Sequence, residues 1–452
     1  MVDIEKFQAF SLRACQKGRG VQRIMAAALA AADPAEAVRR TVKCDGNILK
    51  VGGHSYALDE VGRVFVLAVG KAAAAMAGAL ILLLDNKFVD GILVTKYMPS
   101  NPIGTLKIIQ SGHPVPDERS LYAGGQVADL LSEMTEDDLV FCLFSGGSSA
   151  LMTLPVEGVE MADLQALTAS LLVCGASIAE INTLRRHLDR LKGGGLAWLA
   201  SQTHVVSLIL SDVVGDPLEA IASGPTAPDP TTCADALRII AFYGLRSTLP
   251  AAVVSALERG GETPKPGDDC FGKVQNIIIG SNIRSAQAAL TQARREGFHQ
   301  LLLTTHLQGE ASQAGRIFAS ILRQVAGAGQ PAQLPACLIA GGETTVALRS
   351  LSAGSGRGGR NQELALGAVN DLAGLTGVML VTLATDGEDG STDAAGAIVT
   401  GDTLQRAQAL GLDIYDHLQR NDSYAFFGAL DDLLRLGPTG TNVNDLVFLF
   451  AF

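Results

Sequence analysis

Six consecutive apolar residues, Leu139-Val-Phe-Cys-Leu-Phe144, run directly into Ser145-Gly-Gly-Ser-Ser149 and then Ala150-Leu-Met152. An apolar run of that length, rich in β-formers, reads as a strand buried on both faces in a parallel sheet, which points to an α/β class. The turn after it aims backbone N–H groups at one point, and a helix start would add partial positive charge there. An anion such as a phosphate is one natural occupant. An ordinary tight turn with a serine cap is the other reading.

A chain of 452 residues has room for two or three domains. A net charge of −11 with no Lys/Arg-rich block argues against a nucleic-acid partner. The longest apolar run, Ala72 to Leu84, is too short to span a bilayer, so no membrane partner is expected. Met1 to Lys6 carries charge and no apolar segment, so no secretory signal is expected. Seven cysteines are scattered without a CxxC pair, which fits a reducing cytoplasm and no structural zinc. A homodimer is the commonest oligomeric expectation.

Several other strand ends carry polar, glycine-rich loops. Arg63 to Val69 reads as a strand followed by Gly70-Lys71 and an alanine helix. The helix dipole disfavours a cation at Lys71 unless an anion shares the site; a solvated lysine is the alternative. Lys107 to Gln110 leads into Ser111-Gly-His-Pro-Val-Pro-Asp117, where His113 is either structural or an acid/base or substrate donor. Ile181 to Lys192 reads as a basic helix with a solvated face carrying Arg185, Arg186, Arg190 and Lys192. The following Gly193-Gly194-Gly195 would let backbone approach a ligand closely. His204 to Leu210 is a strand ending in Asp212 and Asp216, which suit Mg²⁺, proton transfer, or only a cap and a turn.

The Gly/Pro-rich stretch 259–269 is the best linker candidate, and a second α/β run follows it. Ala336 to Ala340 opens into Gly341-Gly342-Glu343-Thr344. Ser355-Gly-Arg-Gly-Gly-Arg360-Asn361 precedes a helix, where Arg360 repeats the Lys71 conflict. Val378 to Ala384 runs into four acids between Asp386 and Asp393, and Leu446 to Phe450 is a terminal strand. In an open α/β sheet such loops share one rim, and two linked domains would set two rims across a cleft. Anion-binding loops, one lysine, an arginine and metal-capable aspartates suit phosphoryl transfer. No Walker A pattern is present, and no GxGxxG opens a βαβ unit, which speaks against a dinucleotide.

Gly70-Lys71-Ala72, Ser111 to Asp117, Phe144 to Ser149, Asn182 to Arg186, Lys192 to Gly195, Ser211 to Asp216, Gly341 to Thr344, Gly358 to Glu363, Thr385 to Gly387 and Thr439 to Asp445 together resemble the class II glycerate kinases, the glycerate 2-kinases with a C-terminal MOFRL domain. That family's signature stretch appears here as Val443-Asn-Asp-Leu-Val-Phe448, a departure from its usual form. The resemblance spans nearly the whole chain. It implies a two-domain α/β fold. An N-terminal Rossmann-like domain, residues 1–260, would hold a mostly parallel sheet flanked by helices. A smaller MOFRL-like α/β domain would follow at 270–452, with the active site in the interdomain cleft. The final strand is a candidate to pack back on the first domain.

The resemblance also implies ATP- and Mg²⁺-dependent phosphorylation of D-glycerate at its 2-hydroxyl. Its functional lysine and arginine fall on Lys71 and Arg360. In the resulting scheme Arg360, with Lys71, Asn361 and His113, binds glycerate. Gly70, Ser145, Gly146, Gly147, Ser148, Ser149, Lys192, Gly193, Gly194, Gly342, Glu343 and Thr344 line nucleotide or phosphate. Asp212, Asp216 or Asp386 holds metal, with Asp212 also a candidate base. A nicotinamide-dependent hydroxypyruvate reductase is the rival reading.

Overall fold

The structure, a computed structural model, describes residues 3–348 and 356–452. It divides into two compact units, residues 34–279 and residues 3–33 with 280–452. Among the described residues no helix is long and apolar enough to cross a membrane.

The 34–279 unit holds an antiparallel meander of β1 (Val42–Asp45), β2 (Ile48–Val51) and β3 (His54–Ala57). Its main sheet holds β4 (Val64–Val69), β5 (Phe88–Thr95), β6 (Lys107–Gln110), β7 (Leu139–Phe144), β8 (His204–Leu210) and β9 (Val274–Gly280) in the order β6-β5-β4-β7-β8-β9. Neighbours from β6 through β8 pair in parallel. The order reverses between β4 and β7, and ligands of such sheets bind outside the strand ends at that reversal. Both strands are buried at every position, as unbroken apolar runs under helices on two faces must be. Leu67, Val69, Val140, Cys142 and Phe144 pack with Ala123, Val127 and Leu131 of the helix Glu118–Ser132.

The Gly/Pro-rich stretch 259–269 lies within this unit and does not divide the chain there. Its Pro264 carbonyl accepts from the Asp229 amide at 3.0 Å, and β9, which follows it, is the sixth strand of the same sheet. Proline and glycine mark a loop, but these pin it by backbone bonds rather than leaving it as a tether.

The second unit holds β10 (His299–Leu307), β11 (Ala336–Gly342), β12 (Val378–Ala384), β13 (Gly396–Thr400), β14 (Leu433–Leu434) and β15 (Asp445–Ala451), ordered β10-β11-β15-β12-β13-β14. The final strand, β15, is central in this sheet. It sits antiparallel between β11 and β12 in the middle of the C-terminal sheet. Its seven residues are all buried, and alternate side chains enter two different cores. Val447, Leu449 and Ala451 join the cluster under the helices Ala311–Ala328 and Arg360–Leu372. Leu446, Phe448 and Phe450 face Val21, Ile24 and Met25 of the helix Gly18–Ala31 and Ala286 and Ala289 of the helix Asn282–Arg295. Burying each phenylalanine is worth about 2–3 kcal/mol. That second face needs a cover, and the chain's first helices supply it, so residues 3–33 belong with the C-terminal sheet.

A buried polar clamp fixes this cover. Asp432 is fully buried and accepts from the Ser11 amide at 2.8 Å, the Ser11 hydroxyl at 3.0 Å and Arg406 Nη1 at 2.7 Å. Removing the carboxylate leaves the Arg406 charge uncompensated, which in buried pairs costs about 3–5 kcal/mol. Asp432→Ala should therefore lower this unit's unfolding free energy by about 3 kcal/mol and Ser11→Ala by about 1 kcal/mol, read by denaturant titration.

Candidate functional site

The parallel register sets Val69 beside Phe144, so the loops that leave β4 and β7 start side by side. They are locked together. Ser145 Oγ accepts from the Ala72 amide at 3.1 Å, and the Lys71 amide donates to the Gly146 carbonyl at 3.0 Å. The Ser148 hydroxyl lies within hydrogen-bond reach of the Val69 and Ser145 carbonyls, at 2.8 and 2.6 Å. Gly70 has φ +130°, and a Cβ there would stand 2.2 Å from Ser145 Oγ, so only glycine permits this approach. Ser149 pairs with the Ser223 hydroxyl. The three serine hydroxyls predicted to face a phosphate are thus engaged in building the turn.

The backbone keeps the donors instead. Among the described residues, the amide N–H groups of Gly146 and Gly147 have no hydrogen-bond acceptor. The helix after them, Ser148–Leu151, is a single turn, so its dipole adds less than a full helix would. The positive charge comes from Lys71. Its side chain is exposed, forms no ion pair among the described residues, and places Cε 3.7 Å from the site a Gly147 Cβ would occupy.

Two more predicted residues meet at this turn. His113 Cδ2 and Nε2 lie 2.9 and 3.1 Å from the position of a Gly147 Cβ. Its Nδ1 is buried without a partner. Burial, with the Lys71 and Lys96 charges, lowers the His113 pKa from 6.5 to about 4, so the ring is neutral at pH 7. Asp212 reaches the turn from the end of β8, its Oδ2 being 2.3 Å from the position a Gly146 Cβ would take. Asp216 stands at φ +54° in the same β8 loop.

The basic stretch 181–192 is not a solvated face. The helix runs Ile178–His187 and only Arg190 of the four cations is exposed. Arg186 pairs with the fully buried Asp229 at 3.0 Å. Lys192 is buried against Asp189 and 3.3 Å from the Thr153 hydroxyl; burial lowers its pKa and Asp189 opposes that. The Gly193 and Gly194 amides donate to the Ser223 and Gly224 carbonyls at 2.9 and 2.7 Å, which accounts for that glycine pair without a ligand. Arg185, expected on the same solvated face, is half-buried. It lines a small pocket with Ser149, Thr153, Asp189 and Lys192, forms no hydrogen bond or ion pair among the described residues, and has its pKa lowered by burial. A desolvated guanidinium without a partner is a stronger pointer to an anion than its sequence position was.

In the second unit, pairing sets Asp445 between Gly342 and Ala384. The Arg360 guanidinium, itself partly exposed, bonds both Asp445 oxygens and Glu343. Burial works against its charge, but the Asp445 and Glu343 carboxylates outweigh that and raise its pKa. The anion expected at this helix start is supplied by the chain. Asp389 accepts the Asn361 and Gln362 amides at 3.1 and 2.9 Å, and burial pushes its carboxyl up to about 6. The Asn361 side chain also reaches Asp389, at 3.4 Å. The Glu343 amide donates to Leu307, Thr344 is buried, and Asp386 leads the loop after β12. Ser355, the start of the predicted glycine-rich loop, lies outside the described residues.

Two family models match the chain: a domain of unknown function, DUF4147, over residues 20–258, and the MOFRL family over residues 336–445. Glycerate 2-kinase of Pyrococcus horikoshii is 43% identical, covering 94% of this chain and 95% of that protein. D-glycerate 2-kinase of Thermotoga maritima is 45% identical over 85% of this chain and 90% of its own. The crystal structure of glycerate kinase from Thermotoga maritima superposes with a TM-score of 0.85 at 42% identity, covering 95% of this chain and 98% of that one.

The His113 environment has a measurable consequence. Its folded pKa lies below the unfolded value, so the unfolded chain takes up a proton first, and stability falls as pH drops from 6.5 toward about 4. His113→Gln should flatten the dependence of unfolding free energy on pH across that window while leaving it unchanged above pH of about 7. Urea titrations at a series of pH values measure the slope.

Proposed function

The chain belongs to the glycerate kinase family that joins a DUF4147 domain to a MOFRL domain, and from that premise we propose that it transfers the terminal phosphoryl group of ATP to the 2-hydroxyl of D-glycerate, giving 2-phosphoglycerate and ADP. One observation carries the reading. At the reversal point of the parallel sheet, two N–H groups without an acceptor among the described residues, of Gly146 and Gly147, stand beside an exposed lysine that forms no ion pair among them.

Phosphoryl transfer asks for positioning and charge neutralisation more than for covalent help. The Gly146 and Gly147 amides hold phosphate oxygens in this scheme. Lys71 neutralises charge on the group in transit. Asp212 or the neutral His113 accepts the hydroxyl proton, both being at the turn. Asp212 or Asp216 in the one unit, or Asp386 in the other, offers the hard oxygen donors that suit Mg²⁺, whose contribution is to offset phosphate charge. Arg360 has five N–H donors and uses three on Asp445 and Glu343. Two remain for a carboxylate such as that of glycerate. All seven cysteines are free, which agrees with the reducing, ATP-rich cytoplasm as its location.

A coupled assay with ATP, Mg²⁺ and D-glycerate should yield ADP and the 2-phosphate isomer in equal amounts. NAD(P)H oxidation with hydroxypyruvate, and no ADP, would replace this reading by a reductase. Lys71→Ala should lower kcat by about 10²–10³-fold, the scale for losing one preorganised charge on a transition state. Arg360→Ala should chiefly raise KM for glycerate, and near-normal kinetics in either variant would remove that residue from the scheme.

A further inference from the structure

A second set of chemically reactive side chains in the 34–279 unit shares no ligand with the phosphate cradle. We propose that His187, Cys233 and Glu262 form a binding site for a borderline-soft divalent cation of the Zn²⁺ class. Their ligand atoms all lie within 4.8 Å of one another.

The histidine is the telling member. His187 ends the helix Ile178–His187, and its side chain is fully buried. Nδ1 lies 2.9 Å from the Thr183 carbonyl, which can only accept, so Nδ1 carries the hydrogen. In the neutral ring Nε2 then presents a lone pair. Nε2 is buried, has no hydrogen-bond partner, and stands 3.5 Å from the Glu262 carboxylate. A buried lone pair 3.5 Å from a carboxylate oxygen is a position from which both can bind one cation. An Nδ1–H bonded to a backbone carbonyl is also the arrangement by which metal-bound histidines are oriented.

Cys233 and Glu262 complete a mixed nitrogen, sulfur and oxygen set. Cys233 opens the helix Cys233–Phe242; its amide fixes Glu262 Oε1 at 3.0 Å, and its thiol donates only a weak bond to the Gly261 carbonyl at 3.5 Å. Glu262 is partly exposed. It and His187 line a cavity of about 440 Å³ bordered by Trp198, Pro264 and Lys265. Three protein ligands with an open side match a zinc site that keeps a water in its fourth position. Bond lengths of about 2.0–2.3 Å place tetrahedral donors about 3.5 Å apart, so the set must close slightly. The partly exposed Glu262 can supply that movement.

The other charges around the ring are Asp229, whose Oδ2 is 3.8 Å from Nδ1, and Lys265, whose ammonium is 2.9 Å from Glu262. Lys265 is the competing cation. It also bonds the Thr231 carbonyl and the Thr263 hydroxyl, so it keeps two acceptors when Glu262 turns to a metal. Burial pushes the Cys233 thiol up to about 11, so occupation displaces its proton.

The test uses the full-length protein, stripped with a chelator and titrated with Co²⁺, then with Zn²⁺ against a chromophoric chelator. We expect one equivalent of Co²⁺ to bind with a thiolate-to-cobalt charge-transfer band and to be displaced by Zn²⁺. Cys233→Ser, nearly isosteric, should abolish the band and weaken binding at least about 100-fold, and His187→Gln should do likewise. Near-UV circular dichroism confirms that the variants are folded; should His187→Gln misfold, the serine variant decides alone. Absence of saturable binding, or an unchanged band in Cys233→Ser, overturns the site. The readout is metal binding, so its outcome is independent of whether the protein phosphorylates glycerate.

Discussion

The site on the parallel sheet depends on one close approach, that of Gly70 to Ser145. Two parallel strands whose last residues are in register would ordinarily send their loops apart, toward helices on opposite faces. Here the backbone at 70 comes within side-chain distance of the serine hydroxyl because position 70 has no Cβ. The hydroxyls of Ser145 and Ser148 and the Lys71 amide then close the gap. Among the described residues, two glycine amides and the Lys71 ammonium are left without an acceptor or ion-pair partner, while the hydroxyls of Ser145, Ser148 and Ser149 are engaged.

The other unit resolves a similar electrostatic problem differently. A cation and a helix N-terminus fall together at Arg360, and the chain brings its own carboxylates to both. Asp389 takes the helix amides, and Asp445 and Glu343 take the guanidinium. Lys71 has no such partner among the described residues. The contrast separates a charge that is structurally compensated, and retains only part of its donor capacity, from one that is left open.

Much of this was legible in the sequence. Leu139–Phe144 and His204–Leu210 are strands with the bounds expected, because uninterrupted apolar runs closed by a polar turn leave little choice. The strand-end loops and the family resemblance pointed to Lys71, Asp212 and the Ser145–Ser149 turn, and β4, β7 and β8 bring these together. Hydroxyl roles were not legible: a serine near a turn reads the same whether it faces a ligand or a neighbouring loop. Burial of Arg186 and Lys192 was equally hidden, since their partners Asp229 and Asp189 become visible as partners only once the chain folds. Residues 3–33 could not be assigned from local pattern, because an amphipathic helix does not say which sheet it covers.

The interleaving of the second unit bears on the order in which the chain acquires structure. Its central strand is made after every other strand of its sheet, and its covering helix Gly18–Ala31 is made before them. The 34–279 unit is complete as soon as β9 has been made, whereas the helices of residues 10–31 must wait for β15 before their sheet is whole. Until then Val21, Ile24 and Met25 have no native surface to meet. Contacts of such long sequence separation are slow to form, so the apolar face of the helix Gly18–Ala31 stays uncovered until β15 is in place.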